Sequence, residues 1–288
     1  MSSRFGNRRS VTYRTLVCAH DAGGANQLLY FHEKFVNPTY LLTGPAIKIA
    51  QNLNLRHFSH EADLDLSDFD LVIVSSNSTP QLSDVILASA QRNGIKTIGV
   101  LDHWVNFSTR WSARPDIVIA TDFLSMISCV IHFHSRAKYW PSQYVIETIR
   151  SYTGPSRPEQ ANAGISELTV LFMSQRIFST FDHSALSQTC LCPSISGVLA
   201  NHTFKKVMIR DHFTTDSSEC IASLKSRFPQ YQFSIVNPDF PIADSLSLAN
   251  VVIGWDSYAL YVAQRAGLPV YTLMDKRRTL ISPRYDRL

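Results

Sequence analysis

The sequence predicts an α/β protein of two Rossmann-like domains, each with a parallel sheet, that face a central cleft. Short apolar segments of strand length alternate with helical stretches along most of the chain, which is typical of parallel sheets with crossover helices. The alternation stops at residues 151–164, where Gly, Pro, Ser and Asn concentrate as in a linker. A length of 288 residues accommodates two domains. We therefore predict an N-terminal domain at 1–154 and a C-terminal domain at 155–288.

The composition is that of an ordinary globular protein, with 45% hydrophobic and 17% charged residues. No apolar run reaches the roughly 20 residues that cross a bilayer, and polar and basic residues fill the N-terminus, unlike a signal peptide. We therefore predict a cytoplasmic protein without a nucleic-acid partner. Basic residues at both ends contribute much of the net charge of +4 and could attract phosphates or anionic lipids, so peripheral contact with an inner membrane stays open.

The five cysteines indicate neither a disulfide framework nor a metal site. Their odd number and irregular spacing argue against paired disulfides, in agreement with a cytoplasmic location. Cys190 and Cys192 flank Leu191, but two thiolates without a nearby second pair are a weak zinc signal. We expect no bound metal.

Five apolar segments of the first half are predicted strands, and three segments between them are predicted helices. The strands are 15–19, 39–42, 69–75, 95–101 and 116–120. The helices are 26–35, 46–52 and 81–93, and Gly94 ends the third. Polar residues follow four of the strands, which predicts a ligand-binding edge because open α/β sheets bind ligands at the carboxyl ends of their strands.

The second half repeats this pattern without a sequence repeat. The predicted strands are 168–173, 206–209, 232–236, 249–253 and 268–273, and the predicted helices are 217–228 and 258–266. Gly267 ends the last helix.

A group of polar and glycine residues follows the first strand and is the first candidate site. Gly23 and Gly24 allow close approach of the backbone to a ligand, although a tight strand-to-helix turn explains them as well. His20 and Asp21 are poorly explained by core packing at this position. We predict Asp21 as a general base, with the imidazole of His20 orienting the acceptor or tuning the carboxylate.

Asp102 and His103 also follow a strand and compete for the role of base. Trp104, Asn106 and Arg110 come next, a mixture suited to the apolar face and hydroxyls of a sugar. A large aromatic residue belongs to a core as often as to a sugar site, so both interpretations of Trp104 stay open.

Polar residues that follow strands of the second half are candidates for holding phosphates. Arg210 offers a planar fork of donors, His212 a further donor, and Ser257 a hydroxyl at a helix start. Ser257 could equally be a simple N-cap, and His212 a surface residue. The other predicted binding residues are Ser174, Arg176, Gly254 and Asp256.

Segments spread over most of the chain resemble bacterial GT-B glycosyltransferases of surface polysaccharide synthesis. They are 18–25 (CAHDAGGA), 42–46 (LTGPA), 99–107 (GVLDHWVNF), 171–175 (LFMSQ), 207–212 (VMIRDH) and 249–270 (ANVVIGWDSYALYVAQRAGLPV). The resemblance implies a nucleotide-sugar donor held by the second domain and a glycan or lipid-linked acceptor at the first. It implies no tightly bound cofactor.

The sequence departs from this family in two places. Phe213 stands where related enzymes often have proline, and no paired-glutamate motif of retaining transferases surrounds Gly254. An inverting, metal-independent transferase of lipopolysaccharide or capsule synthesis is therefore the favoured interpretation. A sugar-nucleotide epimerase, a sugar-phosphate or polyol-phosphate transferase, and a non-catalytic assembly partner are the alternatives.

Overall fold

The computed structural model describes most of both halves of the chain. The described residues are 13–56, 64–77, 82–102, 110–111, 113–133, 136–154, 168–174, 177–178, 185–186, 191–211, 216–255, 257–273 and 286–287. Contacts divide the chain into two compact units, Met1–Gln143 and Tyr144–Leu288. Most of the predicted linker, 151–164, lies outside the described residues.

The first unit contains a six-stranded sheet with strand order β2-β1-β3-β4-β5-β6, in which every neighbouring pair is parallel. Its strands are β1 (Thr15–Ala19), β2 (Thr39–Leu42), β3 (Leu71–Ser75), β4 (Lys96–Leu101), β5 (Ile117–Ala120) and β6 (Arg136–Tyr139). The order reverses at β1, because β2 lies on one side of it and β3 on the other. Such a reversal opens a crevice at the carboxyl ends of the strands, where open α/β sheets bind ligands.

Four α-helices accompany this sheet. They are α1 (Ala22–Leu29), α2 (Pro45–Asn52), α3 (Leu82–Arg92) and α4 (Phe123–Phe133), with 3-10 turns at His32–Lys34 and Leu66–Asp68. Fully buried side chains such as Val17, Leu28 and Leu42 fill the core between helices and sheet. The predicted strands β1 to β5 are confirmed to within two residues, whereas α4 and β6 were not predicted.

The start of α1 corrects the prediction of a helix at 26–35. The helix begins at Ala22 and includes both Gly23 and Gly24 in its first turn. Neither glycine has a positive φ. The turn therefore does not need the left-handed backbone conformation that glycine adopts easily. Glycine has a low intrinsic helix propensity, which is why the sequence pattern placed the helix start later.

The second unit contains a six-stranded sheet with strand order β11-β10-β7-β12-β13-β14, again with every neighbouring pair parallel. Its strands are β7 (Thr169–Met173), β10 (Lys206–Arg210), β11 (Gln232–Val236), β12 (Val251–Gly254), β13 (Val270–Thr272) and β14 (Asp286–Arg287). A separate antiparallel pair joins β8 (Ile177–Phe178) and β9 (Ala185–Leu186). The order of the large sheet reverses between β7 and β12, so its switch point differs from that of the first sheet.

Five α-helices are described in or at the border of this unit. They are α5 (Gln143–Ser151), α6 (Leu191–Asn201), α7 (Ser218–Arg227), α8 (Ile242–Ser247) and α9 (Tyr258–Arg265). Alternate residues of the central strand β7 enter two different cores: Phe172 packs on one face of the sheet, and Leu171 on the other. Burial on both faces explains the near-continuous apolar strands.

Helix α5 packs with the second unit, although the sequence prediction extended the first domain to residue 154. Val145 is buried in the same core as Leu171 of β7 and Leu260 of α9. The contacts therefore divide the chain before this helix, at Gln143 and Tyr144.

A disulfide corrects the expectation from cysteine spacing. Cys192 at the start of α6 is bonded to Cys220 in α7, with 28 residues of sequence separation and 5.4 Å between Cα atoms. Closing a loop of this length stabilises a fold by about 3 to 4 kcal/mol in the chain-entropy treatment. Cys18 and Cys129 are buried and are not disulfide-bonded. Disulfides persist mainly in oxidising compartments, and the cytoplasm is a reducing one. The cytoplasmic location therefore stays a prediction.

Within the described ranges, no helix is both long enough and apolar enough to cross a membrane.

Replacing Gly24 by alanine is expected to destabilise the first unit. A Cβ at this position would lie 2.8 Å from the Ser75 Cβ and even closer to the Ser76 carbonyl oxygen, so backbone must shift. We expect a loss of about 1 to 3 kcal/mol in the free energy of unfolding, measured by urea denaturation. The matched control is Gly197→Ala in α6, where an added Cβ meets nothing within 4 Å; this change is expected to stabilise by up to about 1 kcal/mol. Equal effects of the two substitutions would contradict the packing role of Gly24.

Candidate functional site

The carboxyl ends of β1, β2 and β3 bring the first group of candidates together. Ala19 lies beside Leu42 in the β1–β2 pair, and Cys18 lies beside Val74 in the β1–β3 pair. The residues that follow, His20 from β1 and Thr43 from β2, therefore meet beside the switch point, which lies between β1 and β3.

His20 is held by the turn between β2 and α2. Its Nδ1 atom lies 2.8 Å from the Thr43 Oγ1 atom in a hydrogen bond. Gly44 packs directly against the imidazole, because a Cβ on Gly44 would lie 2.7 Å from the His20 Cε1 atom. Gly44 also has φ of +55°, a conformation that side chains of other residues disfavour. The Thr43-Gly44 turn thus fixes the ring plane of His20.

Asp21 lies at the N-cap position of α1, yet its carboxylate makes no capping hydrogen bond to the helix. Its Oδ1 atom lies 3.8 Å from the His20 Nε2 atom, and each side chain is about a quarter exposed, at 24% and 25%. A carboxylate and an imidazole are therefore both accessible at the same edge. A carboxylate and an imidazole are side chains that can transfer protons near neutral pH when they are accessible.

Gly23 and Gly24 serve the packing of α1 against neighbouring strand ends. A Cβ on Gly23 would lie 2.6 Å from the Asp102 Oδ2 atom after β4, and Gly24 packs on Ser75 and Ser76 at the end of β3. Both close approaches are to protein atoms. They explain the glycines without a ligand.

Asp102 is buried and engaged by protein groups. Its Oδ1 atom lies 3.1 Å from the Arg110 Nη1 atom in an ion pair and accepts a hydrogen bond from the Ser76 hydroxyl. The Asp102 backbone amide donates to the same Ser76 oxygen. Asp102 and Arg110 expose less than a tenth of their surface. The carboxylate therefore connects the ends of β3 and β4 with the segment at Arg110.

The remaining first-unit candidate, His103, lies outside the described residues, as do Trp104 and Asn106. Thr43 was missed by the sequence analysis, although its position after β2 matched that of His20 after β1. Ser76 is one of the polar residues that follow the predicted strands, but its sequence position alone did not distinguish it. Its role became visible with the tertiary contact to Asp102.

In the second unit, Ser174 and Gly254 lie at the switch point between β7 and β12. The Ser174 amide donates to the Arg210 carbonyl oxygen at 2.9 Å, which joins the ends of β7 and β10. Gly254 ends β12 beside Met173, and a Cβ there would lie 3.1 Å from the Met173 carbonyl oxygen. The small residue permits this close approach of the strand ends.

Ser257 is the N-cap of α9. Its hydroxyl accepts a hydrogen bond from the Leu260 amide at 3.2 Å, and the side chain is buried. The capping alternative for Ser257 thus has direct geometric support. The other amides at the helix start remain the anion-attracting feature of this edge.

Arg210 makes several hydrogen bonds within the second unit. Its Nη1 donates to the Ser245 hydroxyl at 2.6 Å and to the Asn237 carbonyl oxygen at 3.4 Å, and its Nη2 donates to the Pro238 carbonyl oxygen at 2.8 Å. Burial is the main cause of a lowered pKa for this guanidinium. Arg210 therefore holds the β11–α8 loop at the sheet edge. Arg176, His212 and Asp256 lie outside the described residues.

No protein-family model matches the chain, and no curated protein matches its sequence. Solved structures do match. S. aureus MnaA, solved with UDP, has a TM-score of 0.63 and 10% identity, covering 91% of this chain and 79% of its own. A. baumannii MurG has a TM-score of 0.54 and 10% identity, covering 92% and 79%. The UDP-GlcNAc 2-epimerase of Methanocaldococcus jannaschii has a TM-score of 0.53 and 12% identity, covering 92% and 85%.

The chain has the GT-B fold. The sequence-based resemblance to GT-B proteins and the prediction of two Rossmann-like domains are confirmed at this level. At these low identities the likeness establishes architecture, while reaction and substrate need their own evidence.

Asp102→Ala is expected to lower stability strongly, because it removes the carboxylate that forms an ion pair with the buried Arg110 guanidinium. Breaking a buried ion pair in this way costs about 3 to 5 kcal/mol, measurable by urea denaturation. The control is Asp68→Ala, which removes the more distant of the two carboxylates paired with the exposed Arg14, Asp70 being the other, and should change stability little. A small effect of Asp102→Ala would contradict its assignment as a buried structural carboxylate.

Thr43→Val is expected to change the tautomer balance of His20, because valine has the same shape but no group to bond to Nδ1. The measurement is the pair of ¹⁵N shifts of the His20 ring, assigned with a His20→Gln variant. Thr43→Ser keeps the hydroxyl and is the matched control. Unchanged His20 shifts in Thr43→Val would show that Thr43 does not orient the ring.

Proposed function

We propose that the chain is an inverting, metal-independent glycosyltransferase of surface polysaccharide synthesis, in lipopolysaccharide or capsule. Its donor is a nucleotide sugar, its acceptor a glycan or a lipid-linked glycan, and it needs no tightly bound cofactor. The observation that carries the proposal is the pair of accessible groups, Asp21 and His20, at the switch point of the first sheet. UDP in the structurally similar S. aureus MnaA supports a nucleotide ligand for this fold.

In the proposed reaction the first unit binds the acceptor. Asp21 accepts the proton of an acceptor hydroxyl as the hydroxyl oxygen forms a bond to the anomeric carbon of the sugar. The bond between that carbon and the phosphate oxygen breaks, and the nucleoside diphosphate leaves with the electron pair. Attack from the face opposite the leaving group inverts the anomeric configuration.

Asp21 is preferred to Asp102 as base because of their different surroundings. Asp102 is buried and already engaged by Arg110 and Ser76, whereas Asp21 is partly exposed and does not cap its helix. His20, fixed by Thr43, orients the hydroxyl beside Asp21. His103 stays a candidate of the proposal on its sequence position alone.

The second unit is proposed to bind the donor. The start of α9 supplies backbone amides, and Ser257 keeps that start in place by capping it. Arg210 acts by holding the loop at Asn237 and Pro238. The proposed donor site contains five further residues: Ser174, Arg176, His212, Gly254 and Asp256. Donors aimed at the leaving phosphate stabilise the charge that develops on it.

A sugar-nucleotide epimerase is the second candidate function. It is favoured by the structural similarity to the M. jannaschii UDP-GlcNAc 2-epimerase, which covers 92% of the chain. An epimerase would use the nucleotide sugar as its only substrate. The two functions therefore differ in their products: a glycosylated acceptor in one case and an isomeric nucleotide sugar in the other.

Asp21→Asn is expected to lower turnover about 100-fold to 10,000-fold, because the amide cannot accept the hydroxyl proton. The measurement is mass spectrometry of products after incubation with a panel of nucleotide sugars and glycan acceptors. Asp68→Asn, at an exposed carboxylate of the same unit, is the matched control and should keep wild-type turnover.

The products decide between the candidate functions. An isomeric nucleotide sugar formed without acceptor would overturn the transferase proposal in favour of the epimerase. Full turnover by a normally folded Asp21→Asn would remove Asp21 from the role of base. Absence of nucleotide binding by the wild type would favour a non-catalytic partner.

A further inference from the structure

Helix α4 of the first unit has an inverted arrangement of side chains. Its small residues Ser125 and Cys129 are fully buried, and burial is the main cause that raises the pKa of Cys129 to about 12. Four large apolar side chains are exposed instead: Phe123, Ile127, Val130 and Ile131 are 61%, 36%, 54% and 55% exposed. A helix of a water-soluble surface normally shows the opposite pattern.

The four exposed side chains form one continuous face. Their positions follow the i, i+4, i+7, i+8 spacing, which places them along one side of an α-helix. The sequence of α4 contains no Asp, Glu, Lys or Arg. We name this surface, formed by Phe123, Ile127, Val130 and Ile131, the α4 face. Single exposed apolar residues need no explanation, but a clustered face of this kind marks a contact surface.

The elements beside α4 carry exposed basic and aromatic side chains. Lys138 and Tyr139 lie on the edge strand β6, which packs with α4, and Trp140 follows directly. Tyr139 is half exposed and of the type enriched where a membrane meets water, whereas the partly exposed Trp140 packs its ring against Phe31, with 4.9 Å between ring centroids. Arg114 is exposed before β5, the strand that pairs with β6.

The acidic groups of these elements are largely engaged by other protein groups. Asp122 at the start of α4 is buried and accepts hydrogen bonds from the Ser125 amide and hydroxyl. Asp116 accepts hydrogen bonds from the amide and hydroxyl of Thr97. The accessible charges of Arg114 and Lys138 are therefore the positive complement of the apolar face, and this pairing suits an anionic lipid surface.

We propose that the α4 face is a peripheral membrane-contact site for anionic phospholipids. Phe123 and the aliphatic residues enter the boundary of the acyl chains, while Arg114 and Lys138 meet the headgroups. A second copy of the chain fits less well, because four side chains are far fewer than the roughly 20 to 30 residues that a stable protein interface uses on each side.

Vesicle sedimentation of the full chain tests this proposal without any donor or acceptor. Wild-type protein should pellet with vesicles of phosphatidylglycerol and phosphatidylcholine, and F123S/I131S should lose about tenfold or more in partitioning. The matched control is V36S/V85S, which removes two equally exposed valines, 61% and 55%, from other elements; it should bind like wild type.

A variant without the two basic side chains measures how much electrostatic attraction contributes to vesicle binding. R114Q/K138Q should bind anionic vesicles about tenfold more weakly and respond less to added salt. Because all four substituted positions are exposed, thermal unfolding should be close to wild type, and this check shows that lost binding is not lost folding.

Three results would overturn the proposal. One is a wild-type protein that does not pellet with anionic vesicles. Another is an F123S/I131S variant that pellets as well as wild type. The third is a wild-type dimer in size-exclusion chromatography with light scattering that F123S/I131S converts to monomer, because the face would then meet protein instead of lipid.

Discussion

The site in the first unit depends on the close approach of the first turn of α1 to the ends of β3 and β4. Gly23 rests against the carboxylate of Asp102, and Gly24 rests against Ser75 and Ser76. Any side chain at these positions would push the helix start away from the sheet. Because the turn stays close, Asp21 is placed at the N-cap of α1, with its Oδ1 atom 3.8 Å from the His20 Nε2 atom. The ion pair with Arg110 holds the Asp102 carboxylate in the position against which Gly23 packs.

The two sheets have different strand orders, but each order contains a reversal. In the first unit the order reverses at β1, with β2 on one side and β3 on the other, and in the second unit between β7 and β12. Each reversal opens a crevice at the carboxyl ends of strands. The polar residues at the two crevices differ in kind: a carboxylate and an imidazole at the first, and a capped helix start with a buried arginine at the second. This chemical difference supports the proposal that acceptor and donor bind to separate units.

The strands could be predicted from sequence because parallel strands buried on both faces are nearly continuous apolar runs; β1, β2 and β11 were predicted to the residue. Helix α4 was missed because its apolar side chains face outward, against the usual pattern. The Cys192–Cys220 bond joins two helices that only tertiary packing brings together. For the site, position after a strand was enough to select His20 and Asp21. The partners that distinguish an accessible carboxylate from a buried one, Thr43 and Arg110, required the fold.

The distance between the His20 and Asp21 side chains leaves room for a third polar atom between them. At 3.8 Å, the His20 Nε2 and Asp21 Oδ1 atoms are too far apart for a hydrogen bond to each other. A hydroxyl oxygen about 2.8 Å from both atoms completes a triangle with them. With Nδ1 turned toward Thr43, Nε2 is the ring nitrogen that faces this point. One hydroxyl can therefore donate its proton to the carboxylate while its oxygen is oriented by the imidazole. In the proposed reaction, this separation of 3.8 Å is the one that an acceptor hydroxyl between the two groups needs.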